Sequence, residues 1–351
     1  MSVRNRFGTA AAIALMTTAS AVLLSACGPD NSDPGSAAPG ATGSAAPGSA
    51  APGGAAPGGG SHAGSPAPGG KEVNGTSAAN HLTISTGTRS VALNGATVDF
   101  GTVVRDLAWS PDGKKVVFVD GDGNLVTADP DGSAKSTLAK APSGDAWSHP
   151  TWQHATKELN GDGVPGGAER FDNIVFASSK GGVLQLESIP AKGGTPQVLT
   201  PSSSEGGTDN GIPQPPKTGN TWANAGGRQG GIAYANTPAN EVYVYDDYIR
   251  PNTHDIGKGS QPALSPDGDH LVFVRSVNGH DHLFSRSTDY TQKAEKDLTP
   301  SATTDYTEPA WSPDGKTLAA RTPDGVSTVP ADGSAAPTQV STIKGLPSYR
   351  P

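Results

Sequence analysis

Two stretches of this sequence carry residue types at spacings that could hold a cation. Glu158-Leu-Asn160-Gly-Asp162-Gly163-Val164, followed by Glu169, puts oxygen donors at positions 1, 3, 5, 7 and 12 of a loop with Gly at position 6. That order can wrap a hard ion such as calcium, with Val164 offering its backbone carbonyl. Two departures count against it. Glu158 is one methylene longer than the usual Asp, and Pro165 stands where such a loop makes its short β contact. A solvated hairpin insertion is the first reading and calcium the alternative; no other cofactor is expected. His280-Asp281-His282 places two imidazoles at i and i+2, on one face of a strand. No third ligand accompanies them, and Asn278-Gly279 marks a hairpin tip. Asp120-Gly-Asp-Gly-Asn124 reads as an equivalent turn. Cys27 is the sole cysteine, so an internal disulfide and a Cys-rich zinc site are both excluded.

These candidates sit among short β-rich runs separated by Asp-Gly, Asn-Gly and Gly-Gly turns, with no helical periodicity. Three segments repeat. Leu107-Ala-Trp-Ser-Pro-Asp-Gly-Lys-Lys-Val-Val-Phe-Val119 aligns with Pro262-Ala-Leu-Ser-Pro-Asp-Gly-Asp-His-Leu-Val-Phe-Val274 and Pro309-Ala-Trp-Ser-Pro-Asp-Gly-Lys-Thr-Leu-Ala-Ala320. Each is strand, tight turn, strand: Pro fixes φ and Gly takes the positive-φ position. Two weaker copies are Pro150-Thr-Trp152 with Asn173–Ala177, and Thr221-Trp222 with Gly231–Ala235. Taking Trp109, Trp152, Trp222, Leu264 and Trp311 as equivalent gives spacings of 43, 70, 42 and 47 residues. The long one carries insertions at Lys157–Arg170 and Ser202–Gly219. A period in the low forties fits four strands per unit, the size of a propeller blade. The sequence ends in Leu346-Pro-Ser-Tyr-Arg-Pro351, one further first strand. His81–Ser85, Ser90–Leu93 and Thr97–Phe100 would supply the other three strands of that blade. The expected fold is therefore all-β: a six-bladed propeller over residues 81–351, closed by a blade split between the two ends of the domain.

The repeated Pro-Ala-Trp-Ser-Pro-Asp-Gly resembles the propeller repeats of the TolB family over nearly all of residues 81–351. The resemblance implies a six-bladed propeller. The amino-terminal α/β domain of TolB has no counterpart here, so the Tol–Pal role does not carry over. Similar repeats precede hydrolase domains in prolyl oligopeptidase-like enzymes, but no Gly-x-Ser-x-Gly elbow occurs in this sequence.

The repeat register singles out one constellation. The first strand of each blade lines the central channel, and the residue three before each repeat Trp belongs at its mouth. Those residues are Asp106, His149, Gly219, Gln261, Glu308 and Leu346. Asp106, His149, Gln261 and Glu308 form a candidate binding set, with polar loop ends over a water-filled channel as the plainer alternative. Two carboxylates beside His149 would favour its protonated form and attract a cationic group. The repeat Trp residues are expected in the core between blades, not as a stacking platform for sugars. Glycan binding would want exposed aromatics outside the repeat positions, and Trp147, Tyr243, Tyr245 and Tyr248 are the candidates.

Ahead of the repeats, residues 1–26 form an export signal. Arg4 and Arg6 precede an uncharged apolar stretch from Phe7 to Leu24, then small residues. Leu24-Ser25-Ala26-Cys27 resembles the lipobox of bacterial lipoproteins. The resemblance implies a diacylglyceryl thioether on Cys27 and cleavage before it. Residues 27–80 are a Gly/Pro/Ala/Ser linker with repeated Ala-Ala-Pro-Gly and no apolar face at any period. About 50 such residues span roughly 40 Å. The formal charge of −8 becomes −10 without Arg4 and Arg6, which argues against nucleic-acid binding. The expected protein is a monomer, lipid-anchored to the cell membrane and facing outside the cytoplasm. Its propeller would be a scaffold for a protein or a small cationic ligand. A propeller hydrolase or lyase and a cell-wall glycan-binding module are the alternatives.

Overall fold

The computed structural model describes residues 74–155, 172–203, 214–246 and 251–351. Six four-stranded antiparallel sheets form a ring, with no helix among the described residues. The amino-terminal strands are β1 (Leu82–Ser85), β2 (Ser90–Leu93) and β3 (Ala96–Asp99). Blade 1 follows as β4 (Arg105–Trp109), β5 (Val116–Val119), β6 (Leu125–Ala128) and β7 (Ser136–Ala139). Blade 2 is β8 (Asp145–His154), β9 (Asp172–Lys180), β10 (Val183–Pro190) and β11 (Gln197–Leu199). Blade 3 is β12 (Asn220–Gly226), β13 (Gly231–Asn236), β14 (Glu241–Asp246) and β15 (Asn252–Lys258). Blade 4 is β16 (Ser260–Leu264), β17 (His270–Val277), β18 (His280–Ser287) and β19 (Glu295–Asp297). Blade 5 is β20 (Thr307–Trp311), β21 (Thr317–Thr322), β22 (Gly325–Pro330) and β23 (Thr338–Ser341). The last strand, β24 (Leu346–Tyr349), pairs with β1, so the closing sheet runs β24-β1-β2-β3. The inner strands β24, β4, β8, β12, β16 and β20 neighbour one another in that cyclic order.

The second strand of each blade explains why the repeats read as apolar runs and not as alternation. Val116-Val-Phe-Val119 is buried at every position. Val116 and Phe118 face the closing blade, packing with Val91, Leu93 and Phe100. Val117 and Val119 face blade 2, packing with Ile174, Phe176 and Trp147. A strand covered on both faces must be apolar on both. The same holds around the ring, and the six hydrophobic clusters are the six junctions between neighbouring blades.

Two of the repeat Trp residues each tie a junction. Trp109 donates its indole N–H to Thr83 Oγ1 of the closing blade at 3.2 Å. Trp311 donates to the Ala263 carbonyl of blade 4 at 2.9 Å. Closure is reinforced by Arg350. Its Nε donates to the Gly113 carbonyl at 2.8 Å, and its guanidinium lies 5.0 Å from the Trp109 ring. Folded structure begins earlier than composition suggests. Residues 74–80, read as linker, pack on the closing blade, where Thr76 is buried and its hydroxyl accepts from the Gly95 N–H at 3.0 Å. The expected export signal, Cys27 and the expected linker as far as Val73 lie outside the described residues.

Candidate functional site: the channel mouth

Five inner strands share one local distortion. The register of the first strand on the second shifts between Arg105 and Ala108, Ser148 and Thr151, Thr221 and Asn224, Ser260 and Ala263, and Thr307 and Ala310. A left-handed residue sits in each shift: Asp106 (φ 55°), His149 (φ 51°), Trp222 (φ 55°), Gln261 (φ 50°) and Glu308 (φ 50°). None is glycine, and the left-handed region costs a side-chain-bearing residue about 1–2 kcal/mol. Three are followed by proline (Pro150, Pro262 and Pro309), which needs no ladder partner for its nitrogen and fits a bulge. β24 pairs with β1 without a shift, so Leu346 occupies the sixth place without the distortion.

The distortion lets a mouth side chain reach the next blade. Asp106 Oδ2 accepts the backbone N–H of His149 at 3.0 Å. Gln261 Oε1 accepts that of Glu308 at 2.7 Å. A second tier lies beneath, where Thr151 Oγ1 accepts from Ala225 at 3.0 Å and Asn224 Oδ1 from Leu264 at 2.9 Å. The His149 and Trp222 rings meet at 3.9 Å between centroids, tilted by 52°. Glu308 Oε2 is paired with Arg321 Nη1 at 3.1 Å.

All six mouth positions line one cavity of about 450 Å³ running down the inner strands. Its far end is lined by Pro111, Pro266, Pro313 and Pro351, with His154 and Arg228 from blades 2 and 3. Asp106, His149, Gln261 and Glu308 thus converge, as the repeat register predicts. His149 and Glu308 stand on opposite sides, three blades apart.

Three expectations are corrected. Trp222 is not the equivalent of Trp109. The bulge register puts Ala225 in that place and Trp222 at the mouth, three residues earlier. Gly219 accordingly leaves the mouth; it precedes β12 and donates its N–H to the Leu184 carbonyl at 2.7 Å. His149 is not driven toward protonation. Burial outweighs the attraction of Asp106 and then Glu308, and holds its pKa below the ordinary 6.5. Its Nδ1 lies 4.0 Å from Asp106 Oδ2, beyond hydrogen-bond reach, and is buried without a partner. Among the aromatics outside the repeat, Trp147, Tyr243 and Tyr245 are buried in junctions, and Tyr248 lies outside the described residues.

The other candidates separate. Glu158, Asn160, Asp162, Val164 and Glu169 all lie outside the described residues. His280 and His282 begin β18 and take different carboxylates. His280 Nδ1 is 3.4 Å from Asp305, and the buried His282 is 2.9 Å from Asp297. No group of three His, Cys, Asp or Glu among the described residues is arranged to hold a metal. The Asp120 carboxylate accepts the N–H groups of Asp122 and Asn124 at 2.9 and 2.8 Å, which makes that segment a turn.

No protein-family model and no curated protein matches this sequence. Solved structures do match its fold, a six-bladed β-propeller. TolB from Acinetobacter baumannii superposes with a TM-score of 0.53 at 16% identity, over 77% of this chain and 66% of its own length. A putative TolB from Agrobacterium tumefaciens gives 0.51 at 18% identity, over 76% and 89%. A chain of a nidogen/laminin complex gives 0.50 at 12% identity, over 77% and 98%. This chain thus spans about two thirds of the Acinetobacter protein.

Proposed function

We propose that this protein is an extracytoplasmic lipoprotein, held on a membrane by acyl chains on Cys27. Its propeller is a binding scaffold that engages a protein or ligand at the channel mouth. One observation carries the reading. Five blades each hold a different side-chain-bearing residue in the left-handed conformation, around one cavity. Strain kept at five equivalent places marks selection for what those side chains meet. Binding is favoured over catalysis because the two carboxylates are engaged, Asp106 with a backbone N–H and Glu308 with Arg321. A chain of this fold in the nidogen/laminin complex is consistent with protein binding.

Two experiments test the two halves of the proposal. Cys27→Ser removes the thiol that acylation needs and should release the protein from the membrane fraction; unchanged fractionation refutes the anchor. A photocrosslinking residue at Gln261 should capture a partner in intact cells, and one at the exposed Val198 on β11 should not. Equal capture at both positions, or none at Gln261, removes the mouth as the contact surface.

A further inference from the structure

The bulge of blade 3 brings to the mouth an aromatic residue of the kind a sugar site needs. Trp222 stands at the mouth, outside the inter-blade core where the other repeat tryptophans pack. Its blade could place a small or polar residue there, as the other four bulged blades do. Instead a bulky indole is held at φ 55°, where side chains of that size rarely sit. It is not needed for closure of its own junction, which is filled by Ala223, Ile232, Tyr234, Tyr243 and Tyr245. It rests against His149 and otherwise borders the cavity.

The polar groups around it are mixed in kind. After the internal bonds are counted, Asp106 Oδ1 and Glu308 Oε1 remain as acceptors. Gln261 Nε2 and Trp222 Nε1 remain as donors, since no hydrogen bond within the described residues uses them. A cation would leave the donors facing a donor. An anion would meet two carboxylates. A hydroxyl both donates and accepts, so a polyhydroxylated ring satisfies the whole set while its C–H face lies on the indole. Arg321 offsets Glu308 and burial disfavours charge on His149, which leaves Asp106 as the one uncompensated carboxylate of the ring, a charge-assisted acceptor for a sugar hydroxyl. The cavity, at about 450 Å³, is within the range of small-ligand sites.

We propose that the channel mouth binds a neutral saccharide, with Trp222 as the stacking platform and Asp106, Gln261 and Glu308 as its hydrogen-bonding ring. This rests on the reading of the mouth as a binding site and names its ligand class.

The test is saturation-transfer NMR and indole emission on the purified chain. The probes are maltose, cellobiose, lactose and diacetylchitobiose, run beside tetramethylammonium and a lysine-rich hexapeptide. At least one disaccharide should bind, and Trp222→Gly should weaken that binding at least tenfold. Gly accepts the left-handed backbone, so this variant should melt at or above the parent temperature, which separates lost binding from lost folding. Trp222→Asn, which also tolerates that conformation, serves as a second variant. Unchanged sugar binding in both variants overturns the proposal. So does the absence of disaccharide binding, whether or not the cation or the peptide binds. A partner captured at Gln261 together with no sugar binding would sink this inference and leave the binding reading standing.

Discussion

The two ends of the inner strands obey different rules. At the turn end, Ser110, Ser265 and Ser312 do the same thing in three blades. Each carbonyl accepts from the turn glycine at 2.8, 2.9 and 2.9 Å, and each hydroxyl accepts from the backbone N–H five residues on, of Lys115, His270 and Thr317, at 2.9, 3.0 and 2.9 Å. The Asp of each turn is held below the ordinary carboxylate pKa, chiefly by the serine hydroxyl. At the mouth end the backbone repeats just as closely, with five left-handed residues within a few degrees of one another. The side chains there are Asp, His, Trp, Gln and Glu. One end repeats backbone and chemistry together, as a structural device must. The other repeats the backbone and varies the chemistry, as a recognition surface does.

The largest effect should come from an injury to both ends at once. Deleting Leu346–Pro351 removes the strand that pairs Leu82–Ser85, the Arg350 contacts on Gly113 and Trp109, and one wall of the channel. Two sheet edges and the closing junction would be exposed. Loss of a cooperative melt, or aggregation, is the expected outcome in thermal unfolding followed by circular dichroism. A truncated chain that melts with the parent would mean that the ring does not depend on the split blade.

A smaller effect separates the ends. Gly113 has φ 64°, and an added Cβ would stand 3.1 Å from the Pro351 carbonyl and 3.3 Å from Arg350 Cγ. Gly113→Ala should therefore cost about 1–2 kcal/mol in urea unfolding. Adding a side chain at the turn end should harm stability, whereas removing one at the mouth, in Trp222→Gly, should not. If both substitutions destabilise alike, the mouth residues are structural and the contrast between the ends fails.

The fold was legible in the sequence because its signals are local and repeated. Ser-Pro-Asp-Gly dictates the turn, the doubly buried second strands dictate the apolar runs, and the terminal half-repeat dictates the split blade. The mouth register was legible in the same three strong repeats and in His149. It failed in blade 3, where residue identity outweighed register. Aligning Trp222 with Trp109 left Ala223-Asn-Ala225 unexplained ahead of the Gly226-Gly227 turn. In the strong repeats the turn follows the key residue directly. That three-residue surplus was the available signal. The charge state of His149 was not legible, because burial is a property of the closed ring and not of the residues beside it in sequence.

The smallest effect probes that last point. Asp106 on β4 and Glu308 on β20 attract a proton to His149, Arg321 offsets Glu308, and burial opposes charging and wins. The folded pKa therefore lies below the unfolded one. Below pH 6.5 the unfolded chain binds the extra proton, so stability falls with pH from there until the folded pKa is reached. The loss at pH 6 is at most about 0.8 kcal/mol. His149→Asn keeps a residue tolerant of the left-handed backbone and has no proton to bind. Urea unfolding at pH 7.5 and pH 6 should show the parent losing stability by up to that amount relative to the variant. An equal loss in the parent would mean that the two carboxylates balance burial, and a smaller one that they outweigh it. His149 would then stand as an imidazolium that offsets Asp106, and a hydroxyl would meet an ion pair there in place of a lone carboxylate.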